Sequence, residues 1–567
     1  MPTLAQRLLP DRYRRLSLLL FFAGVLALGL SILRDFSLPG DEEIQRVTGE
    51  VSLLYVFQKL PAPVQQRLLP ARVAALVAQR QAATQLHSYR DRDYGVAFEM
   101  PAAAIEQVLR VHEVRHIFLL RHLLNFLVCW GGFLAFYTLA ARRFGSWRVG
   151  LLGTLLLVLS PRLFGDYFYN SKDAVFLACF TLAVAAAVPF IERPSWRRAL
   201  GCALACALAI DVRLMGVLVP AATLFFMAWR ALRGEYGPGQ GQRLAGLGGL
   251  FAVALAALVV VGWPFLWEAP LHNFLVAWRN MSHFRTLGWL LYRGQLVRAD
   301  RLPWHYAPVW IGVTVPLLYL AFFGVGVLAI GAAVVRRRAR LYAGAEWQDL
   351  LFLGLAVAPL LAVIALHSVL YNGWRQLYFL YPMLLLVALR GLVAAWRWQP
   401  PTHLGRRYWQ PALGLGLAAA LAVVAGRMVR LHPLETLYFN ALAATPLDDN
   451  YETDYWGMGT RNGLEWILAH DARPRIRVGS PEPYHVVLAH QMLPPADRQR
   501  LVVTLDTTQV DYYLHNLARH HLYTVRYTRP AHELWADNVH VLNIFKLTHA
   551  GTRQPTPAPR AAGRAGE

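Results

Sequence analysis

Charge is scarce in this chain of 567 residues: Asp, Glu, Lys and Arg together make up 16%, against 56% hydrophobic residues. Soluble domains carry about 25% charge, and the deficit excludes an ordinary soluble enzyme of this length. Acid is the scarcer sign, with 34 Asp and Glu facing 56 Lys and Arg for a formal net charge of +22. In a soluble protein that excess would suggest nucleic acid, but no nucleic-acid motif is present and no such partner is expected. The arginines instead fall in short loops between apolar runs, where they set topology and mark the cytoplasmic side. Cysteine is limited to Cys129, Cys179, Cys202 and Cys206, all inside apolar runs. That excludes a disulfide framework and a thiolate metal cage. A fixed-period repeat is absent, as is a small-residue cleavage site after the first apolar run. Leu16 to Leu33 therefore reads as an anchored first helix.

What is present is a series of apolar runs, near 16–33, 117–141, 149–161, 174–191, 199–229, 244–266, 308–333, 350–370, 376–396 and 411–429. As one helix, 199–229 would be ~46 Å long against a hydrocarbon core of ~30 Å. It would also bury Asp211 and Arg213, at ~2.5–3.5 kcal/mol each by insertion scales. Two short helices turning at "DVR" keep every arginine-rich loop on the cytoplasmic side, so about eleven spans are expected. The fold class is mainly α, a polytopic helical bundle. Residues 1–429 form the transmembrane module, with 34–116 as its first extracytoplasmic loop. Amphipathic stretches in that loop, 44–60 and 70–86, read as interfacial helices. "RIRVGS", "RLVVTLD", "LYTVRYT" and "VHVLNIFKL" read as short strands of a small extracytoplasmic α/β domain, 430–549. The Pro/Ala/Gly-rich tail, 550–567, reads as disordered.

In this topology ionisable groups gather at one membrane edge. "LPGDEEIQ" follows the first span, "GDYFYNSKDAVF" follows the third, "DVR" breaks the run 199–229, and "HSVLYNGWRQLYFLYP" joins two late spans. Charges beside a bilayer are costly and default to function. Arginine and lysine suit a phosphate, and a carboxylate suits deprotonation of an attacking hydroxyl. Together they describe transfer of a group from a lipid phosphate to an alcohol. Two other readings compete. A lipid-linked-substrate transporter or flippase would also use broken helices and membrane charge. "HEVRH", His112 to His116, matches the zinc-protease pattern HExxH, which places both histidines on one helix face.

With "GDEE", "SPRLFGDYFYNSKDAVF", "DVRLMG", "WRQLYFLYP" and "RHLLNFLVCWGGFLAFYTLAARR", the chain resembles the GT-C membrane glycosyltransferases. Within them it is similar to glycosyltransferase family 39, which includes protein O-mannosyltransferases and lipid A aminoarabinose transferases. The resemblance implies a polyprenyl-phosphate sugar as donor and a hydroxyl of a protein, lipid or glycan as acceptor, with inversion at the sugar. It implies Asp41 as the catalytic carboxylate with Glu42 beside it. Lys172, Arg213 and Arg375 would contact the phosphate and Asp173 would be a second acidic position. Tyr371 and Trp374 would line the sugar or lipid site. No cofactor is demanded, although Asp41, Glu42 and Asp173 are compatible with a divalent cation. The location implied is a bacterial inner membrane, with the N-terminus cytoplasmic and the C-terminal domain outside.

Overall fold

The computed structural model describes residues 11–68, 86–282, 288–337, 344–518 and 529–547. The expected strand "LYTVRYT", most of the stretch 70–86 and the tail 550–567 lie outside these residues. Among those described, nine helices are long and apolar enough to cross a membrane, and a bent pair makes a tenth. The chain is thus a multi-pass integral membrane protein, as its composition demands. Two elements differ from simple spans. The third run, 149–161, ends at a bend: α5 (Trp147–Val158) is followed by α6 (Pro161–Tyr169) at 76° to it. The bend falls at Ser160-Pro161, where proline's fixed φ suits the first position of a new helix. The run 199–229 does turn back on itself, as α8 (Trp196–Ile210) and α9 (Leu218–Leu232). At 15 residues α8 is shorter than the ~20 that a helix needs to span unaided.

Burial sorts the long helices into centre and rim. α7 (Asp173–Glu192) and α13 (Tyr381–Arg397) are mostly enclosed by protein, whereas α1 (Arg14–Ile32), α10 (Gly241–Gly262) and α14 (His403–Leu431) are mostly uncovered. The spanning windows of the uncovered helices are strongly apolar and carry at most two charged residues each, as lipid contact requires. Where backbones approach closely the sequence supplies glycine. A side chain at Gly391 of α13 would collide with the Phe322 carbonyl of α11 (Leu317–Arg337), and one at Gly326 of α11 with the Val387 carbonyl. Without a hydrophobic drive between helices in lipid, such close packing supplies the attraction.

On the face that bears the first loop, α2 (Gly40–Gln58) packs on α3 (Glu99–Val108) across Gly49, at which a Cβ would strike the Glu99 backbone. The stretch 44–60 is thus helical through Gln58, with one side laid on protein. A hairpin, β1 (Trp289–Tyr292) and β2 (Gln295–Arg298), turns at Arg293-Gly294, both with positive φ (53° and 75°). That turn type matches strand twist, and glycine supplies the second position without strain. Downstream lies a five-stranded mixed sheet ordered β4-β3-β5-β7-β6. Here β3 is Ile476–Gly479, β4 Leu501–Val503, β5 Tyr512–Asn516, β6 His532–Ala536 and β7 Val539–Lys546. β3, β4 and β7 fall where the sequence places strands. β5, a central strand buried along its whole length, was not legible because both its faces are covered and its pattern does not alternate.

Candidate functional site

Four chain segments bring the predicted charges to one place. Asp41 sits in the first turn of α2, after Pro39 and Gly40 stop the extended chain. Lys172 immediately precedes α7, and Asp173 begins it. Arg213 stands in the turn after α8. Arg375 opens a 3-10 turn, Arg375–Leu380, that leads into α13. Arg375 Nη1 donates to Asp41 Oδ2 at 2.6 Å and to Asp173 Oδ2 at 3.2 Å. Arg213 pairs with the other oxygen of Asp173. The turn carrying Arg213 is fixed from outside, since the Asp211 carbonyl accepts from Ala97 N at 3.0 Å. Gly95 makes this approach possible: any side chain there would meet the Asp211 backbone.

Among the described residues, Lys172 has no carboxylate at ion-pair distance. Its Nζ lies over the Tyr94 ring, 3.0 Å from the centroid. Burial, followed by repulsion from Arg213, lowers its pKa to about 7 even though Asp41 and Asp173 pull the other way. For Asp41, enclosure by protein opposes ionisation, but Arg375, Lys172 and Arg213 outweigh it and hold the carboxyl below its ordinary value. Its side chain keeps 40% exposure, so it faces an open space, while Arg375 and Asp173 are buried beneath it.

The remaining expected residues divide. Tyr371 belongs to the cluster, with the Arg375 guanidinium 4.9 Å from its ring centroid. Glu42 does not: it turns inward and pairs with His122 Nε2 at 3.1 Å. Burial pushes the Glu42 carboxyl up, against the pull of His122. Trp374 is buried away from the charges, donating Nε1–H to Thr314 Oγ1 at 2.9 Å and packing against Tyr378 and Tyr381. The space a divalent cation would take between Asp41 and Asp173 is filled by the Arg375 guanidinium. Among the described residues no three His, Cys, Asp or Glu side chains converge as a metal site.

The HExxH pattern has lost its helical premise. α4 (Val114–Phe144) starts inside it, Glu113 is its N-cap and accepts from His116 N at 2.9 Å, and His112 precedes the helix. Glu113 also pairs with Arg498 at 2.5 Å. The two histidines therefore do not share a helix face, and the glutamate is engaged in capping.

Three participants were not legible. Tyr94 carries no motif. Asn170 links Asp166 and Asp173, donating to them at 3.1 and 3.2 Å, and its Oδ1 accepts from Asp173 N. Trp456 reaches back from the C-terminal region to place its ring 5.0 Å from Arg375. The turn behind it is fixed by Asp454, which accepts from Met458 N and Gly459 N at 2.8 Å, with Gly457 at φ +66°. "DYWGMGTRNG" is thus a turn leading into the helix Thr460–His470, and it carries Trp456 to Arg375.

Residues 107–263 match the family described as dolichyl-phosphate-mannose-protein mannosyltransferase. The match spans Lys172, Asp173 and Arg213, and over these residues it bears out the glycosyltransferase resemblance read from the sequence. No curated protein matches. Solved structures similar to this chain include ArnT from Cupriavidus metallidurans in the apo state, at 15% identity and a TM-score of 0.47, covering 94% of this chain and 99% of that one. The same ArnT bound to undecaprenyl phosphate gives 15% identity and a TM-score of 0.45 at the same coverage. The archaeal oligosaccharyltransferase AglB from Archaeoglobus fulgidus, in complex with an inhibitory peptide and a dolichol-phosphate, gives 11% identity and a TM-score of 0.36, covering 76% of this chain and 62% of that one.

Proposed function

We propose that this chain transfers a sugar from a polyprenyl phosphate to a hydroxyl acceptor, with inversion, at the extracytoplasmic edge of the membrane. The observation that carries the reading is the gathering of Asp41, Asp173, Lys172, Arg213 and Arg375, drawn from four separate segments, into one cluster beside the long helices. Three cations against Asp41 and Asp173 leave positive charge for a phosphate monoester or diester. Arg375 presents a planar donor fork, and Lys172 a point charge with no competing ion pair among the described residues.

The chemistry follows from how these charges exchange. In the free protein Arg375 is bound to Asp41. An incoming donor phosphate competes for the same guanidinium, and as Arg375 turns to it Asp41 loses its nearest cation and gains basicity. Asp41 then takes the proton of the acceptor hydroxyl. The oxygen attacks the anomeric carbon from the side opposite the phosphate, the C–O bond to phosphate breaks, and the polyprenyl phosphate leaves with its charge met by Lys172, Arg213 and Arg375. Asp173 holds both arginines in position. Tyr371 and Trp456 cover the Arg375 guanidinium and shield it from water.

Parity supports the orientation and the eleventh crossing. Arg461 donates to the carbonyls of Arg34 and Phe36 at 2.8 and 2.9 Å, and Tyr484 to Glu43 at 2.9 Å. The chain beyond α14 thus lies on the same face as the loop after α1, which requires an even number of crossings between them. The eight long helices after α1 and the bent pair make nine, and α8 makes ten. With the arginine-rich loops cytoplasmic, the cluster faces outward. The transmembrane module of 1–429 and the α/β domain of 430–549 then meet at the site through Trp456 and Tyr484.

Asp41→Asn tests the reading. It keeps shape and removes the base, so turnover of a polyprenyl-phosphate sugar should fall by about 10²–10⁴-fold while donor binding persists. Undiminished turnover would remove Asp41 as base. Donor binding with transport but no sugar release would favour a flippase instead.

A further inference from the structure

α6 carries two buried side chains that the proposed chemistry leaves unused. Arg162 is 2% exposed and Asp166 fully buried, one helical turn apart and so on one face. Among the described residues, Arg162 Nε and Nη2 and Asp166 Oδ2 make no hydrogen bond. The Arg162 guanidinium rests instead against two rings, 5.1 Å from the centroids of both Trp310 and Phe439. Burying donors and acceptors without partners is costly, and three such atoms on one helix face point to a ligand that supplies what the protein does not.

The pair adjoins the charge cluster. The other oxygen of Asp166 accepts from Asn170, which also bonds Asp173, and Asp173 holds Arg375. Tyr378 and Tyr455 lie within electrostatic reach of Arg162, Asp166 and Asp173. The turn before Arg375 crosses Arg162 at Gly373 (φ +74°), where a Cβ would come within 3.3 Å of Arg162 Nη1. A group attached to a phosphate held by Arg375 would reach this pair next.

We propose that Arg162 and Asp166 form a subsite that reads two neighbouring hydroxyls of the transferred sugar, a reading that rests on the donor assignment above. A hydroxyl is both donor and acceptor. One can accept from the Arg162 fork while its neighbour donates to Asp166 Oδ2, with Tyr378 and Tyr455 as walls. A uronic acid would satisfy Arg162 but bring its carboxylate against Asp166. A protonated amino sugar would satisfy Asp166 and oppose Arg162. The subsite therefore selects a neutral, vicinally hydroxylated sugar.

The test is binding to the full-length protein in detergent, with bare undecaprenyl phosphate and undecaprenyl phosphate carrying a neutral hexose or a hexuronic acid as probes. Arg162→Lys and Asp166→Asn should leave binding of the bare lipid within about twofold and weaken the hexose-bearing lipid about tenfold. The uronic-acid lipid should bind the unaltered protein more weakly than the hexose lipid. Equal losses for bare and hexose-bearing lipids, no loss for either, or preference for the uronic acid would overturn the subsite. The comparison of lipids on the unaltered protein decides the matter even if a variant fails to fold. If that protein binds bare lipid and the hexose adds nothing, the subsite alone falls. If it binds no polyprenyl phosphate at all, the donor assignment falls and the subsite with it.

Discussion

Lys172 is the residue whose charge state is most exposed to its surroundings. Its pKa near 7 means that it is charged below that pH and mostly neutral at pH 8. A phosphate placed beside it favours the ammonium form, so donor binding should draw a proton onto Lys172 when the solution is alkaline. The expected result is uptake of about one proton at pH 8, and close to none at pH 6, per polyprenyl-phosphate sugar bound, a diester that does not itself titrate in this range. Calorimetry in two buffers of different ionisation enthalpy reads this directly, and Lys172→Met should abolish the difference. Uptake unchanged by that substitution would assign the proton elsewhere. Glu42 teaches the complementary lesson. It follows Asp41 in sequence, but successive residues on a helix are rotated by ~100°, and that rotation carries it from the open cluster to His122.

Among the elements, the turn at Asp211–Arg213 is the most demanding. It is held by Ala97 N and admitted by the bare backbone of Gly95, so the first loop positions an arginine that belongs to a helix pair far along the chain. Gly95→Ala forces the two backbones apart. It should destabilise the protein by about 1–3 kcal/mol, read as a lower melting temperature in detergent. It should also weaken polyprenyl phosphate binding, because Arg213 moves with its turn. A variant as stable and as tight as the parent would show that the two segments do not depend on each other. The periodicity of the apolar runs made these helices legible, and the charge at "DVR" revealed the break. The run 149–161 reads as stopping at Pro161, where the bend falls; that a helix, α6, continues beyond it is not legible, since a single proline after a serine serves equally well as the end of a span.

At the scale of the whole molecule, orientation is the testable property. Cys129, Cys202 and Cys206 are buried and Cys179 is partly so, which gives a quiet background for labelling. Leu232 at the end of α9 and Trp535 on β6 are both well exposed, at 87% and 53%. Replaced singly by cysteine, they should react with an impermeant maleimide from opposite sides of sealed vesicles, Trp535→Cys from the extracytoplasmic side. Labelling of both from one side would break the parity on which the outward-facing cluster rests.

The sequence by itself determined that the chain lives in a membrane, roughly how often it crosses, and which charges are too costly to stand there idle. Those follow from local properties: hydrophobic length, helical period and the free energy of a charge near lipid. Only the tertiary structure decided which charges meet. Asp41 finds Arg375, and Arg213 finds Asp173 because Gly95 lets distant backbones touch, while Tyr94 and Trp456 reach the cluster from segments in which nothing marks them as its partners. Such contacts depend on packing between elements far apart in the chain, and no local pattern of residues encodes that distance.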